Sequence, residues 1–217
     1  MPRFRLFLQT TAVISLFAIQ QSVLPKITFP DEMFESVSAR YGNKAEQRVR
    51  EWQALLLKLE NATTDKKLYE VNRFFNQVDF VEDIVQWHVE DYWATPIELL
   101  GNFAGDCEDY TIAKYFSLRA LNIPENKLRF MYVTATRPRQ AHMVLAYYET
   151  SDAIPMVLDN LNKRILPASQ RQDLIPVYSF NGDGLWLAKS QGRGRQMQKQ
   201  NNNSLWEDLN ARMKKGY

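Results

Sequence analysis

Between residues 43 and 78 the apolar side chains recur at helical intervals. Ala45, Val49, Trp52, Leu56 and Leu59 are spaced four, three, four and three apart, one face of an α-helix that opens at Asn43 or Lys44. Thr63 or Thr64 offers the next N-cap, and Leu68, Val71, Phe74, Phe75 and Val78 carry a second helix. The two read as a helical hairpin laid on a core. Residues 79–95 are rich in Trp, Asp and Glu without a clean period, which predicts a long, irregular, ordered segment of the kind that shapes sites. Thr95-Pro96 starts a short helix expected to stop at Gly101. After Gly105-Asp106-Cys107 a run bearing Ile112, Ala113, Tyr115, Phe116 and Leu118 is helical as far as Asn122-Ile123-Pro124, which places Cys107 at or near a helix N-terminus.

Downstream come short runs rich in β-branched and aromatic residues, at 128–136, 141–149 and 155–160, parted by Pro, Arg, Ser and Asp. They predict strands of an antiparallel sheet, with a last pair at 177–180 and 185–188 around the turn Asn181-Gly182-Asp183-Gly184. The class is therefore α+β, a helical N-terminal half packed on an antiparallel β-sheet. After Ser190 two Gly, four Gln and Asn201-Asn202-Asn203 predict a mobile linker, and residues 204–214 a small terminal helix with Leu205, Trp206, Leu209 and Met213 on one side.

Composition narrows this picture. The chain of 217 residues is 45% hydrophobic and 24% charged, enough for one folded domain, and 27 basic against 25 acidic residues give no overall electrostatic reason to expect nucleic acid as partner. From Lys189 onward seven basic residues face two acidic ones, so the tail is basic and the remainder slightly acidic. Arg3 and Arg5 precede the apolar stretch 12–19, which is followed by Gln20-Gln21-Ser22 and Pro25, the order of a secretory signal. The stretch is shorter than the ~20 residues a spanning helix needs, yet no small-x-small cleavage site marks its end, which leaves an uncleaved anchor open. The expected division is residues 1–24 as signal peptide or anchor, 30–188 as the folded domain and 189–217 as a basic Gln/Asn-rich tail.

One cysteine excludes an internal disulfide and any multi-cysteine metal site, so Cys107 is a structural thiol, a reactive one or an intermolecular link. Its position at a helix N-terminus, where bare N–H groups and the dipole favour a thiolate, and its flanking by Asp106, Glu108 and Asp109 favour the reactive reading. A thiol nucleophile needs an imidazole, and the imidazole a third group to hold its tautomer. Of the two histidines, His142 opens a predicted strand and Asp159 closes the next one, and antiparallel neighbours bring such side chains into contact. His88, beside Trp87, has no such carboxylate and is read as structural. The Cys107 N–H is one expected oxyanion donor, with Trp93, Trp87 or Gln140 for the second. Asp106, Glu108 and Asp109 suit a hard cation such as calcium, although spacing alone favours a capped helix whose first turn is complemented by acids.

The segments Gly105-Asp106-Cys107-Glu108-Asp109-Tyr110, Ala141-His142-Met143-Val144-Leu145 and Val157-Leu158-Asp159-Asn160 resemble the bacterial transglutaminase-like cysteine proteinases, closely the LapG type. The likeness takes in Asp91-Tyr92-Trp93-Ala94-Thr95-Pro96, Ile112-Ala113-Lys114-Tyr115-Phe116 and Pro176-Val177-Tyr178-Ser179-Phe180-Asn181, in order from about Glu46 to Leu187. It implies a papain/transglutaminase-like cysteine protease fold with Cys107, His142 and Asp159 as catalytic triad. It also implies calcium on Asp106 and Glu108, with Asp109 as a further ligand. The implied activity is periplasmic endoproteolysis of the N-terminal region of a large repetitive surface adhesin, which disperses a biofilm. The implied regulator is the periplasmic domain of an inner-membrane receptor for cyclic di-GMP. Two other readings stand beside it: a transglutaminase or deamidase acting on protein glutamine through the same triad, and a non-catalytic periplasmic adaptor that keeps the fold and binds a membrane receptor.

Overall fold

The computed structural model describes residues 27–182, 184–187, 196–198 and 204–215. The expected leader at 1–24 and most of the Gln/Asn-rich stretch lie outside the described residues. Three helices come first: α1 (Asp31–Tyr41), α2 (Asn43–Leu59) and α3 (Thr64–Phe75). The five apolar positions that define α2 in the sequence are the ones it buries, and Trp52 Nε1 donates to Ser117 Oγ at 2.9 Å, tying the helix to the centre of the molecule. α1 was not anticipated, because its Phe34 and Val37 are too few apolar positions to establish a period. α3 ends at Phe75, so Val78 lies beyond it, although still buried.

The irregular segment holds two short elements, β1 (Asp79–Phe80) and the single turn α4 (Asp83–Gln86). α5 (Pro96–Asn102) starts on a capping box: Thr95 Oγ1 accepts from the Glu98 N–H at 3.2 Å and Glu98 Oε2 from the Thr95 N–H at 2.8 Å. Gly101 does not end this helix as expected. It lies inside, where an added Cβ would stand 2.8 Å from the ring of Tyr41, and Phe103, in the left-handed region at φ 54°, closes the helix instead. β2 (Ala104–Gly105) pairs in parallel with β1 and leads into α6 (Cys107–Ala120). α6 is buried on nearly every side, which is why the sequence shows a helical run there rather than a stripe.

The strands β3 (Leu128–Thr136), β4 (Arg139–Tyr147), β5 (Met156–Leu158), β6 (Leu166–Pro167), β7 (Leu174–Asn181), β8 (Gly184–Leu187) and β9 (Gln196–Gln198) form one antiparallel sheet, ordered β6-β5-β4-β3-β7-β8-β9. β3 has its expected bounds, β4 is shifted two residues toward the N-terminus, β5 is shorter than expected and β7 longer. β9 falls in the stretch expected to be a linker. Phe130, Met143, Leu145, Leu158 and Phe180 join the helical core, whereas Met131, Val133, Val144, Ala146, Tyr148 and Val157 form a second cluster, the period-two alternation of a sheet covered on both faces. The terminal helix α7 (Ser204–Lys214) has the bounds read from the sequence. Its Trp206 stacks on Phe116 at 6.1 Å and meets Phe130 edge-on at 5.3 Å, contacts worth about 0.5–1.5 kcal/mol each beyond the area buried. Among the described residues no helix is long and apolar enough to cross a membrane.

Candidate active site

Cys107 is the first residue of α6 and Asp106 its N-cap. Gly105 lets the chain reach this start: an added Cβ there would lie 2.5 Å from Asp109 Oδ2 and 2.6 Å from Leu99 Cδ1. Asp109 accepts from the Ala94 N–H at 2.7 Å and from the Asp106 N–H at 3.3 Å, so one carboxylate joins the helix start to the irregular segment. Thr111 Oγ1, one turn along, lies 2.8 Å from the Cys107 carbonyl and 3.2 Å from that of Met143, fastening α6 to β4 beside His142.

The thiol does not have the depressed pKa expected from the helix terminus. Cys107 donates to Glu108 Oε2 at 2.9 Å, and desolvation, then the charges of Glu108 and Asp106, push the thiol well above its ordinary value; the Met143 N–H opposes them. A helix terminus contributes about 0.3–1 kcal/mol, too little to outweigh desolvation and carboxylates at contact distance.

His142 and Asp159 meet as the strand argument expects. Nε2 lies 2.8 Å from Oδ1, with the side chains 1% and 0% exposed. β5 pairs with β4 only from Leu145 to Tyr147, so His142 lies on a part of β4 that runs past it, and Asp159, one residue beyond β5, turns in to meet it. Oδ1 also accepts from the Leu161 N–H at 2.9 Å, and Asn76 Nδ2 donates to the Asp159 carbonyl at 2.8 Å. Oδ2 is held by Arg171 Nη2 at 2.6 Å. Burial alone would raise the Asp159 pKa, but His142 and Arg171 outweigh it and hold the carboxyl well below the usual range. With an ionised acceptor on Nε2, that nitrogen carries the ring hydrogen and Nδ1 is left as a base. Lys114 is buried nearby on α6; desolvation lowers it to about 7, opposed by Asp159.

Cys107 and His142 line one cleft of about 370 Å³ together with Gln140, Tyr132, Phe80, Ile84 and a set of acids. Among the expected second oxyanion donors, Gln140 lines this cleft, whereas Trp93 stacks on Phe180 at 5.7 Å in the core and Trp87 packs on Tyr92 at 4.4 Å. His88 is exposed at φ 61° and is not among the residues lining it.

The acids of the cleft exceed those read from the sequence. Oxygens of Asp83, Asp106 and Asp109 lie within 4.8 Å of one another, as do those of Asp83, Asp91 and Glu108. Asp83 and Asp91 belong to the segment without a period; Asp91 opens one of the segments of the family likeness, but nothing in the sequence gave either a ligand role. Asp83 Oδ2 accepts from the Tyr92 N–H, whereas Asp83 Oδ1 and Asp106 Oδ1 are buried without a hydrogen-bond partner. Burial, then mutual repulsion, raises Asp83 to about 6 and Asp106 to about 10, and pushes Asp91 and Asp109 up as well. Converging carboxylates with orphaned buried oxygens fit a hard divalent cation that takes six to eight oxygen ligands.

The family model for bacterial transglutaminase-like cysteine proteinases matches residues 38–194. Calcium-bound LapG of Legionella pneumophila is similar over 85% of this chain and 99% of its own, at 38% identity and a TM-score of 0.73. EGTA-treated LapG of the same organism is similar over 84% and 96%, at 38% identity and a TM-score of 0.74. A search of curated proteins finds no match.

Proposed function

The chain belongs to the bacterial transglutaminase-like cysteine proteinases, and we propose that it is a calcium-dependent endopeptidase of the LapG type with Cys107 as nucleophile, His142 as base and Asp159 as orienting acid. The observation that carries the assignment is the buried 2.8 Å contact of His142 Nε2 with Asp159 beside the cleft that Cys107 shares. Nδ1 of His142 takes the thiol proton, and the thiolate attacks the scissile carbonyl. The Cys107 N–H receives the oxyanion, with the Gln140 amide as the side-chain donor. His142 then protonates the leaving amine and activates the water that hydrolyses the thioester.

Asp83, Asp91, Asp106, Glu108 and Asp109 are the residues that would hold calcium. When bound, calcium would supply positive charge to offset these carboxylates, Glu108 at the thiol among them. The LapG relative described as calcium-bound supports this reading.

The substrate is the N-terminal region of a large repetitive surface adhesin, cut at a pair of small residues, and its release disperses a biofilm. The enzyme works in the periplasm, with residues 1–24 as leader or anchor, and the periplasmic domain of an inner-membrane cyclic di-GMP receptor restrains it. The support for substrate, receptor and compartment is the family likeness of the segments 105–110, 141–145 and 157–160, together with the leader pattern. The test is incubation of the protein and calcium with an adhesin N-terminal fragment, read by mass spectrometry. Two complementary fragments are expected; a crosslinked product, or deamidated glutamine without cleavage, would overturn the endopeptidase reading.

A further inference from the structure

The Asp159 carboxylate is held from both ends. Oδ1 accepts from His142 and from the Leu161 N–H, and Oδ2 accepts from Arg171 Nη2 at 2.6 Å. The Arg171 side chain is 2% exposed, in the segment that leads into β7, and Asp173 grips its Nε at 2.9 Å and its Nη2 at 2.7 Å. A carboxylate held only at Oδ1, here by His142 and the Leu161 N–H, can still swing its other oxygen about the Cβ–Cγ bond. With Oδ2 fixed by a desolvated guanidinium, Oδ1 stays aimed at Nε2. A planar guanidinium, itself clamped by a second carboxylate, imposes an orientation that a point charge would not.

We propose that Arg171 is a positioning residue of this protease: by holding Oδ2 of Asp159 it keeps the carboxylate turned so that Oδ1 stays on His142 Nε2, and so keeps Nδ1 as the nitrogen left for Cys107. The proposal rests on the reading of Cys107, His142 and Asp159 as the catalytic residues. Arg171 has an electrostatic consequence too, because a permanent cation on the far oxygen takes up part of the negative charge that would otherwise stabilise a protonated His142. Other charged groups bear on the same point. Lys114, from α6, is buried in the field of Asp159; Asp173 accompanies Arg171; Cys107, Glu108, Asp106 and Asp91 share the cleft with His142.

The test uses the full chain in calcium with Arg171→Met, Arg171→Gln and Arg171→Lys. Cleavage kinetics on the adhesin fragment and a pH titration of the histidine ring resonances are both recorded. The chain has only two histidines, so exposed His88 serves as internal reference. Arg171→Met is expected to lower kcat by about 10–100-fold with little change in KM, as loss of an orienting partner does. It is also expected to move the His142 titration upward by roughly half a unit or more while His88 stays in place. Arg171→Lys recovers part of both. If Arg171→Met does not fold, Arg171→Gln carries the test, since it keeps a donor and drops the charge. Unchanged kcat and His142 titration in the folded Met or Gln variant would overturn the proposal, as would a Lys variant no better than Met. The titration needs no turnover, so an Arg171 effect on His142 can be seen even if the fragment is never cut, and failure of the triad reading is told apart from failure of this one.

Discussion

The Cys107 thiol donates to the carboxylate of its own chain neighbour, Glu108 Oε2, at 2.9 Å. The proposed nucleophile is thus tied to an anion that disfavours its thiolate, and the same anion belongs to the carboxylate set that fits a divalent cation. The protonated thiol and a cation would compete for one side chain.

Alkylation of Cys107 at pH 7 is therefore expected to be slow in chelator and faster by at least about tenfold in calcium, because one unit of thiol pKa is a decade of thiolate. Glu108→Gln should be labelled faster than the parent in chelator and gain little from calcium. Intact-mass kinetics with iodoacetamide read a single thiol in this chain. Equal parental rates with and without calcium would separate the metal from the nucleophile.

Stability without metal should fall as pH rises. A carboxyl whose folded pKa stands above its ordinary value of 3.8 binds its proton more tightly in the native state, so native stability is lost as pH climbs through about 6 for Asp83 and toward about 10 for Asp106. Melting in chelator is expected at higher temperature at pH 5 than at pH 8. Calcium should raise the pH 8 value by on the order of 5–10 °C. A chelated protein that melts higher at pH 8 than at pH 5 would contradict the raised carboxyls.

Asp83→Asn and Asp91→Asn should each weaken calcium by at least about tenfold in calorimetric titration, the scale of losing one orienting or ligating group. Asp152→Asn, an exposed acid outside the cluster, is the control and should bind as the parent does. Unaltered affinity in both cleft variants would confine the metal to Asp106, Glu108 and Asp109.

Gly105→Ala should destabilise by about 1–3 kcal/mol in urea denaturation, because the new Cβ meets Asp109 Oδ2 and Leu99 Cδ1 in a packed region. Asp109 is the acid that links the start of α6 to Ala94, so calcium-stimulated labelling of Cys107 should drop as well. Gly42→Ala, with open space around it but a left-handed φ of 85°, should lose stability without that loss of labelling.

His142→Ala should reduce cleavage by about three orders of magnitude or more. His88→Ala, in contrast, should cleave at the parental rate, since His88 is exposed and away from the cleft.

What the amino-acid sequence determined by itself was local and chemical. The bounds of α2 and α7 follow from apolar positions repeating at the helical period, and those of β3 from a run rich in β-branched and aromatic residues, properties that a short window of residues carries whole. The proposed triad was legible because the chain has one cysteine and two histidines, and because His142 lies on one strand and Asp159 directly after the next. Tertiary structure alone decided the rest. Asp83, Asp91 and Arg171 reach the site from segments with no period, and Gly101 proved to be a place of close approach to Tyr41 rather than a stop signal. The thiol's pKa went against the helix-dipole argument for a related reason: Asp106 and Glu108 are adjacent in the sequence, but only folding turns Glu108 onto the thiol and removes the water around it, and ionisation answers to both.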